Sequence, residues 1–388
     1  MVSANLVCAS RLRLARKRRG LTLVRLAELT GISTRSLSAY EKGEQRPGPG
    51  RVGVIAARLG YPTGFFFGEG IDELAPAAVS FRAPSKLPAV RRDAALSAGR
   101  LAMEVNRWIV ERFVLPEPDL PTLDRREPES AAEEVRARWG LGAAPVPNMV
   151  HLLEAHGVRV FSLPECAEVD AFSTVWDGTP YVFLNVGKSG ERGRFDAAHE
   201  LGHLVLHSER QAGPDAEREA NRFAGAFLMP RASVLAHLPP APSVERILTA
   251  KRTWQVAAMA LTHRLYEVDL LSEWLYRTTC IELCRRGFRV AEPGGIQRES
   301  SQLLHKVFRA LRTDRITAAD IAADLRLPAE EVNGFLFGLV PTAVPGDRRG
   351  EGGSTGGSGE RRGDGAPGEE PDGPPEPPEE RPRLRIVR

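Results

Sequence analysis

Residues 199–203 read His-Glu-Leu-Gly-His, and this short run constrains the chain more than any other. Two histidines four apart on a helix project from one face. Two neutral imidazoles at that spacing hold one zinc at about 2.0–2.1 Å. Glu200 lies beside them and reaches a zinc-bound water as general base. The chain has 388 residues with 8 His and 50 acidic residues, so chance yields His-Glu-x-x-His only about 0.02 times per chain. The motif demands a helix with an apolar back. Phe195, Ala198, Leu201 and Leu204 supply one, and Gly202 keeps the helix slim beside the histidines. The pattern predicts a helix over 193–207.

A zinc site needs a third protein ligand. His207 lies one turn further along the same helix, about 5.4 Å beyond His203. A straight helix cannot easily grip one ion with three successive turns, so His207 reads as a structural or supporting residue. The next predicted helix, 214–228, stops at Pro230 and buries Ala216, Ala220, Phe223, Ala224 and Phe227. Glu217 and Glu219 flank that face about equally at ~100° per residue, so helical geometry does not choose between them. Upstream, 129–139 and 149–156 read as helices and 158–163, 171–176 and 181–185 as strands. Asp177-Gly178 joins the last two strands as a hairpin. Together these make a mixed α+β unit over 129–240.

The N-terminal part is different. Residues 10–60 carry twelve Lys and Arg against three Glu, on a chain whose net charge is only +3. A basic small unit on a nearly neutral chain is an electrostatic footprint for phosphate. Five short helices are predicted within 9–67. Thr22 caps the second, Gly31 turns the chain, and Ser33 caps the third. Leu26, Ala27, Ile32 and Leu37 fall where two crossing helices bury side chains, which leaves Ser33, Thr34, Arg35 and Ser38 on an outer face. A major groove admits such a helix, and its first-turn side chains reach base edges. Arg35 has the fork for a guanine, and Ser33 is placed for a phosphate at the helix N-terminus.

The remaining segments frame these two units. Residues 68–128 read as a helical connector (94–113) and a Pro-rich linker, and 241–340 as a helical C-terminal domain. Within the latter, 316–338 has a helix-turn-helix rhythm but acidic exposed positions, so it reads as a small helical or dimerisation module. Residues 341–388 are dominated by Gly, Pro, Glu and Arg and are expected to be disordered. No stretch reaches the ~18 apolar residues of a membrane span, and the N-terminus does not read as a signal peptide. The four cysteines at 8, 166, 280 and 284 are too few and scattered for a disulfide framework. Cys280 and Cys284 read as buried packing residues. A cytoplasmic protein is expected.

Two resemblances sharpen this reading. LAELTGIS, LSAYEKG and the Pro after GEQR resemble the xenobiotic-response-element (XRE) class of helix-turn-helix domains. In that class Thr34, Arg35 and Ala39 would contact bases. The chain departs from it at Leu23, where members often carry a phosphate-binding Gln. RFDAAHELGHLVLH followed by EREANRFAGAFLMP is similar to the ImmA/IrrE family of metallo-endopeptidases. SFR at 80–82, YVFLN and FRVAEP also look like members fused to such a reader. This resemblance implies a zincin-like fold with Glu219, directly before Ala-Asn, as the third zinc ligand. It also implies that the strand 181–185 aligns substrate as an added strand. The combined expectation is an α+β multidomain protein: an all-α reader, a zincin-like metallopeptidase domain, a helical C-terminal region and a disordered tail. Its partners would be a double-stranded DNA operator, bound as a homodimer on two half-sites, and a protein substrate. The resemblance implies cleavage of a helix-turn-helix repressor, or of the chain itself. The alternative is a non-catalytic transcription factor, or an antitoxin-like regulator, whose zinc domain senses a signal or binds a partner.

Overall fold

The computed structural model describes residues 6–76, 79–82, 87–163, 168–207, 213–289, 291–336 and 385–386. The reader is built from α1 (Ala9–Arg18), α2 (Leu23–Thr30), α3 (Thr34–Glu41), α4 (Pro49–Leu59) and a 3-10 turn, Thr63–Phe67. Local chemistry sets these boundaries. Thr22 starts α2 by accepting from the Arg25 amide at 3.1 Å. Gly31 ends it at φ +70°, a left-handed conformation that costs glycine nothing. Ser33 then caps α3, accepting from the Ser36 amide at 3.1 Å. Leu12, Leu26, Leu37, Ile55 and Phe65 close the core between them.

The chain leaves the reader as β1 (Ser80–Arg82), enters the long α5 (Ala89–Val110) and turns through β2 (Phe113–Val114). After α6 (Pro128–Arg138) and α7 (Met149–Ala155) come β3 (Arg159–Ser162), β4 (Ala171–Trp176) and β5 (Thr179–Leu184). The sheet order is β1-β4-β5-β3, with β3 parallel to β5 and the other pairs antiparallel. Asp177 and Gly178 both have positive φ (46° and 74°), as the expected two-residue hairpin turn requires. Alternation gives the sheet two apolar faces. Phe172, Tyr181 and Phe183 join one core with α5, while Ala171, Val182 and Leu184 join the other. Gly99 lets α5 lie flat on the sheet, since a Cβ there would come 2.6 Å from the Phe172 ring.

On the second face lie α8 (Gly190–Leu206) and α9 (Pro214–Leu228), followed by α10 (Arg231–His237). The helices expected as one C-terminal domain divide their packing. α11 (Val244–Trp254) and α12 (Ala258–Glu267) bury Ile247, Trp254, Leu261 and Leu265 in the α8–α9 core, and α13 (Glu273–Arg285) packs on α12. By contrast, α14 (Gln302–Thr313), α15 (Ala318–Leu325) and α16 (Ala329–Phe335) bury Phe308, Ile321, Val332 and Phe335 in the core that the reader shares with α5 and the first face of the sheet, with α15 and α16 packed on α5. Glu331 fastens that join, 2.8 Å from both Arg18 and Arg19. The tail expected to be disordered lies outside the described residues, except for β6 (Arg385–Ile386), which pairs antiparallel with β2. Among the described residues no helix is long and apolar enough to cross a membrane.

Candidate functional site

α8 and α9 cross where Gly202 meets Ala220. A Cβ on Gly202 would lie 3.2 Å from the Ala220 Cα and 3.1 Å from the Phe223 ring. This close approach brings α9 over the histidines. His199 and His203 point their Nε2 atoms at each other, 3.0 Å apart. The Glu217 carboxylate closes the triangle, 3.4 Å from His199 Nε2 and 3.2 Å from His203 Nε2. One ligand atom from each of the three lies within 4.8 Å of the others. Burial works against the Glu217 carboxylate, but hydrogen bonds and charge from both imidazoles hold its carboxyl down at about 2. It is therefore ionised at physiological pH.

The outer nitrogens are also occupied. His199 Nδ1 faces Asn221 Oδ1 at 3.1 Å, while the Asn221 amide donates to the Glu217 carbonyl at 2.8 Å. An amide oxygen only accepts, so His199 carries its proton on Nδ1. His203 Nδ1 meets His207 Nδ1 at 3.1 Å, and His207 Nε2 meets Glu219 at 2.8 Å. The carboxylate fixes the His207 proton on Nε2, so His207 Nδ1 accepts from His203 Nδ1–H. With the Nδ1 protons so placed, loss of the Nε2 protons leaves each histidine a lone pair aimed beside one carboxylate. That donor set fits a small divalent cation, with outer partners of the kind that orient metal-bound imidazoles. Glu200 is fully buried alongside, its Oε2 accepting from Ser173 Oγ on β4 at 2.6 Å.

The arrangement departs from the sequence expectation in three places. It brings Glu217, not Glu219, to the histidine pair; Glu219 instead anchors His207. The available signal was Asn221, four residues after Glu217 and so on the same helix stripe. Second, β5 does not offer a free edge for substrate, because β4 and β3 flank it on both sides. Third, Cys280 is half-buried and Cys284 exposed rather than packed in a core. Neither belongs to the acidic–histidine cluster, and Cys166 lies outside the described residues. Sequence reasoning also missed Ser173, a serine with nothing local to mark it.

In the reader, Ser33, Thr34 and Arg35 are exposed at the start of α3 and Ser38 is half-exposed beside them. Ala39 is 8% exposed, and its carbonyl accepts from the Glu44 and Gln45 amides of the turn after α3. Much of the basic charge is paired with carboxylates of the same chain. Arg16 pairs with Glu41 (2.6 Å), Lys17 and Arg13 with Glu73 (2.7 and 2.8 Å), and Arg25 with Glu28 (2.7 Å). Arg35, Arg46 and Arg58 are exposed and have no ion pair among the described residues. The cationic surface is therefore narrower than the residue count suggested, and Arg35 stands within the first turn of α3.

Comparison with known proteins follows the same division. Residues 12–66 match a family model described as helix-turn-helix, and residues 153–266 match one described as an IrrE N-terminal-like domain of the M78 peptidase group. No curated protein matches the chain. The α2–α3 pair and the crossed α8–α9 pair lie inside these two matches, so the chain is a fusion of an XRE-type helix-turn-helix regulator domain with a domain of the ImmA/IrrE peptidase family.

Proposed function

We propose that the chain is a DNA-binding transcriptional regulator that controls gene expression through a zinc-dependent endopeptidase. The observation that carries this is the convergence of His199 Nε2, His203 Nε2 and Glu217 beside buried Glu200. His199, His203 and Glu217 would hold the zinc, which when bound supplies Lewis-acid polarisation of a peptide carbonyl. Glu200 takes a proton from the water that attacks the carbonyl carbon and delivers it to the departing amine nitrogen. Ser173 holds one Glu200 oxygen, which aims the other. Asn221 and the His207–Glu219 pair keep both ligand imidazoles in the metal-binding tautomer. In the reader, Thr34, Arg35 and Ser38 would read base edges and the capped N-terminus of α3 would take a phosphate. Two copies on two half-sites are the arrangement such readers favour. The substrate class we favour is a helix-turn-helix repressor, or this chain itself.

Elemental analysis of the purified protein tests this. About one zinc per chain is expected in the wild type, kept in Glu219→Ala and Glu200→Gln and lost in Glu217→Ala. Loss in Glu219→Ala with retention in Glu217→Ala would return the ligand role to Glu219. No zinc in the wild type, even after it is added back, would overturn the metallopeptidase reading. Glu200→Gln should also abolish proteolysis while DNA binding persists. A regulatory effect that survives that change would favour a sensor or partner-binding role for the domain.

A further inference from the structure

The segment that leaves the reader does not cross to α5 as a free loop. It pairs with the outer edge of β4, with Ser80 opposite Ser173, Phe81 opposite Phe172 and Arg82 opposite Ala171. This is also the stretch of sheet that touches the metal site, because Ser173 is the residue bonded to Glu200. Directly opposite residues of an antiparallel pair share a face. Ser80 therefore stands on the face of the sheet that carries Glu200, and β1 itself contacts α8. β5 is enclosed on both sides, so the β4 edge is where an extended backbone can lie alongside Glu200. An extended peptide added to a sheet edge is held mainly by its main chain, which tolerates many sequences.

We infer that the outer edge of β4 is the peptide-docking edge of the peptidase-family domain, and that the chain's own residues 80–82 occupy it in cis. The kind of partner it fits is an extended peptide running antiparallel to Ala171–Ser173. Its preferred pattern is that of β1: a small polar residue opposite Ser173 and an apolar one opposite Phe172. Three paired residues bind weakly by themselves, since each hydrogen bond they form replaces one to water. Tethering compensates with an effective concentration on the order of mM. A peptide from another molecule must outcompete that tether. The helix-turn-helix match ends at residue 66 and β1 begins at Ser80, so movement of the reader away from α5 would draw the strand off the edge. The site's availability is thereby tied to the reader's position.

This inference rests on the endopeptidase reading for its consequence, but its test does not need turnover. The probe is a fluorescein-labelled peptide of residues 76–87, added to full-length Glu200→Gln protein and followed by anisotropy. Arg82→Pro removes a ladder amide, because the Asn185 N–H bond to the Asp170 carbonyl sets the alternation that turns the Ala171 and Ser173 backbone groups toward β1, and it should release the strand. It should raise the affinity for the probe at least tenfold over the parent. Equal affinity in both would overturn the inference. Where Arg82→Pro disturbs folding, hydrogen exchange on the parent carries the same test. Excess peptide should expose the amides of 80 and 82 while those of 171 and 173 stay protected. Unchanged protection at 80 and 82 under saturating peptide would sink it. Tighter binding without cleavage, in zinc-loaded protein with Glu200 intact, would instead leave the docking edge standing and remove the endopeptidase reading.

Discussion

α3 and α8 are both members of crossed helix pairs, yet they present their candidate site residues in opposite ways. Ser33, Thr34 and Arg35 on α3 are exposed, while His199, Glu200 and His203 on α8 are buried. An exposed reading surface needs only a rigid helix behind it, which Leu26 and Leu37 provide. A buried polar site must satisfy each group it removes from water. That is why Asn221 and Glu219 of α9, Ser173 of β4 and His207 at the end of α8 itself serve its buried groups. The exposed face of α3 can change without cost to the fold, whereas the buried cluster on α8 is part of the fold.

The largest test asks whether the two regions are separate units. Arg18 is 4% exposed and Glu331 2%, and Glu331 serves Arg19 as well. Removing one partner of a buried ion pair leaves a desolvated charge and typically costs about 3–5 kcal/mol. Glu331→Ala should lower stability by that amount in urea unfolding, and it should weaken DNA binding more than zinc binding. A loss below about 1 kcal/mol would mean the pair is solvated and the reader is only lightly docked.

The join between α14 and α7 should answer to pH. Glu154 is buried and accepts from Ser301 Oγ and from the Gln302 and Leu303 amides (both 2.9 Å). Burial pushes its carboxyl up to about 7, against hydrogen bonds that pull it down. The unfolded chain releases this proton near 4.5, so between 4.5 and 7 the folded state holds a proton that the unfolded state lacks. The associated stability is full below 4.5, is lost as pH rises toward 7 and is flat above. Two and a half units correspond to about 3 kcal/mol. Glu154→Gln should remove that slope from the wild-type curve. Parallel curves for the two proteins across this window would refute the assignment.

Much of this was legible in the sequence because it is local. The Thr22 and Ser33 caps, the Asp177-Gly178 turn and the apolar back of α8 each depend on residues within one turn or hairpin. Other features depend on where elements meet. Glu217 and Glu219 are equivalent on an isolated helix, and only the Gly202–Ala220 crossing separates them. β1 is three residues long, too short for alternation to register. The basic count of the reader overstated its cationic surface, because the acidic partners Glu73 and Glu331 lie outside it in sequence.

The reader's half of the comparison is sharpened by Arg35→Ala. An exposed arginine that forks onto a guanine contributes about 1–3 kcal/mol, and its loss relaxes preference at one base pair. Filter or anisotropy titrations on a selected operator should show both effects with zinc content unchanged. A uniform loss across all sequences would reassign Arg35 to a phosphate contact.

The metal half is sharpened by Gly202→Ala, a change that adds one methyl group to a buried crossing. The added carbon would meet the Ala220 Cα at 3.2 Å, and backbone cannot swing aside as a long side chain can. α8 and α9 must then part by a few tenths of an ångström. Glu217 rides on α9 and the imidazoles on α8, so the separation falls directly on the ligand triangle. Disturbing the support of a metal site typically lowers affinity about 10–100-fold, and this displacement should sit near the lower end. Competition with a chelator should show roughly a tenfold weaker zinc affinity while operator binding stays as it was. If zinc affinity is unchanged, the crossing does not set the ligand geometry, and the contrast between a surface that tolerates change and a site built into the packing loses its basis.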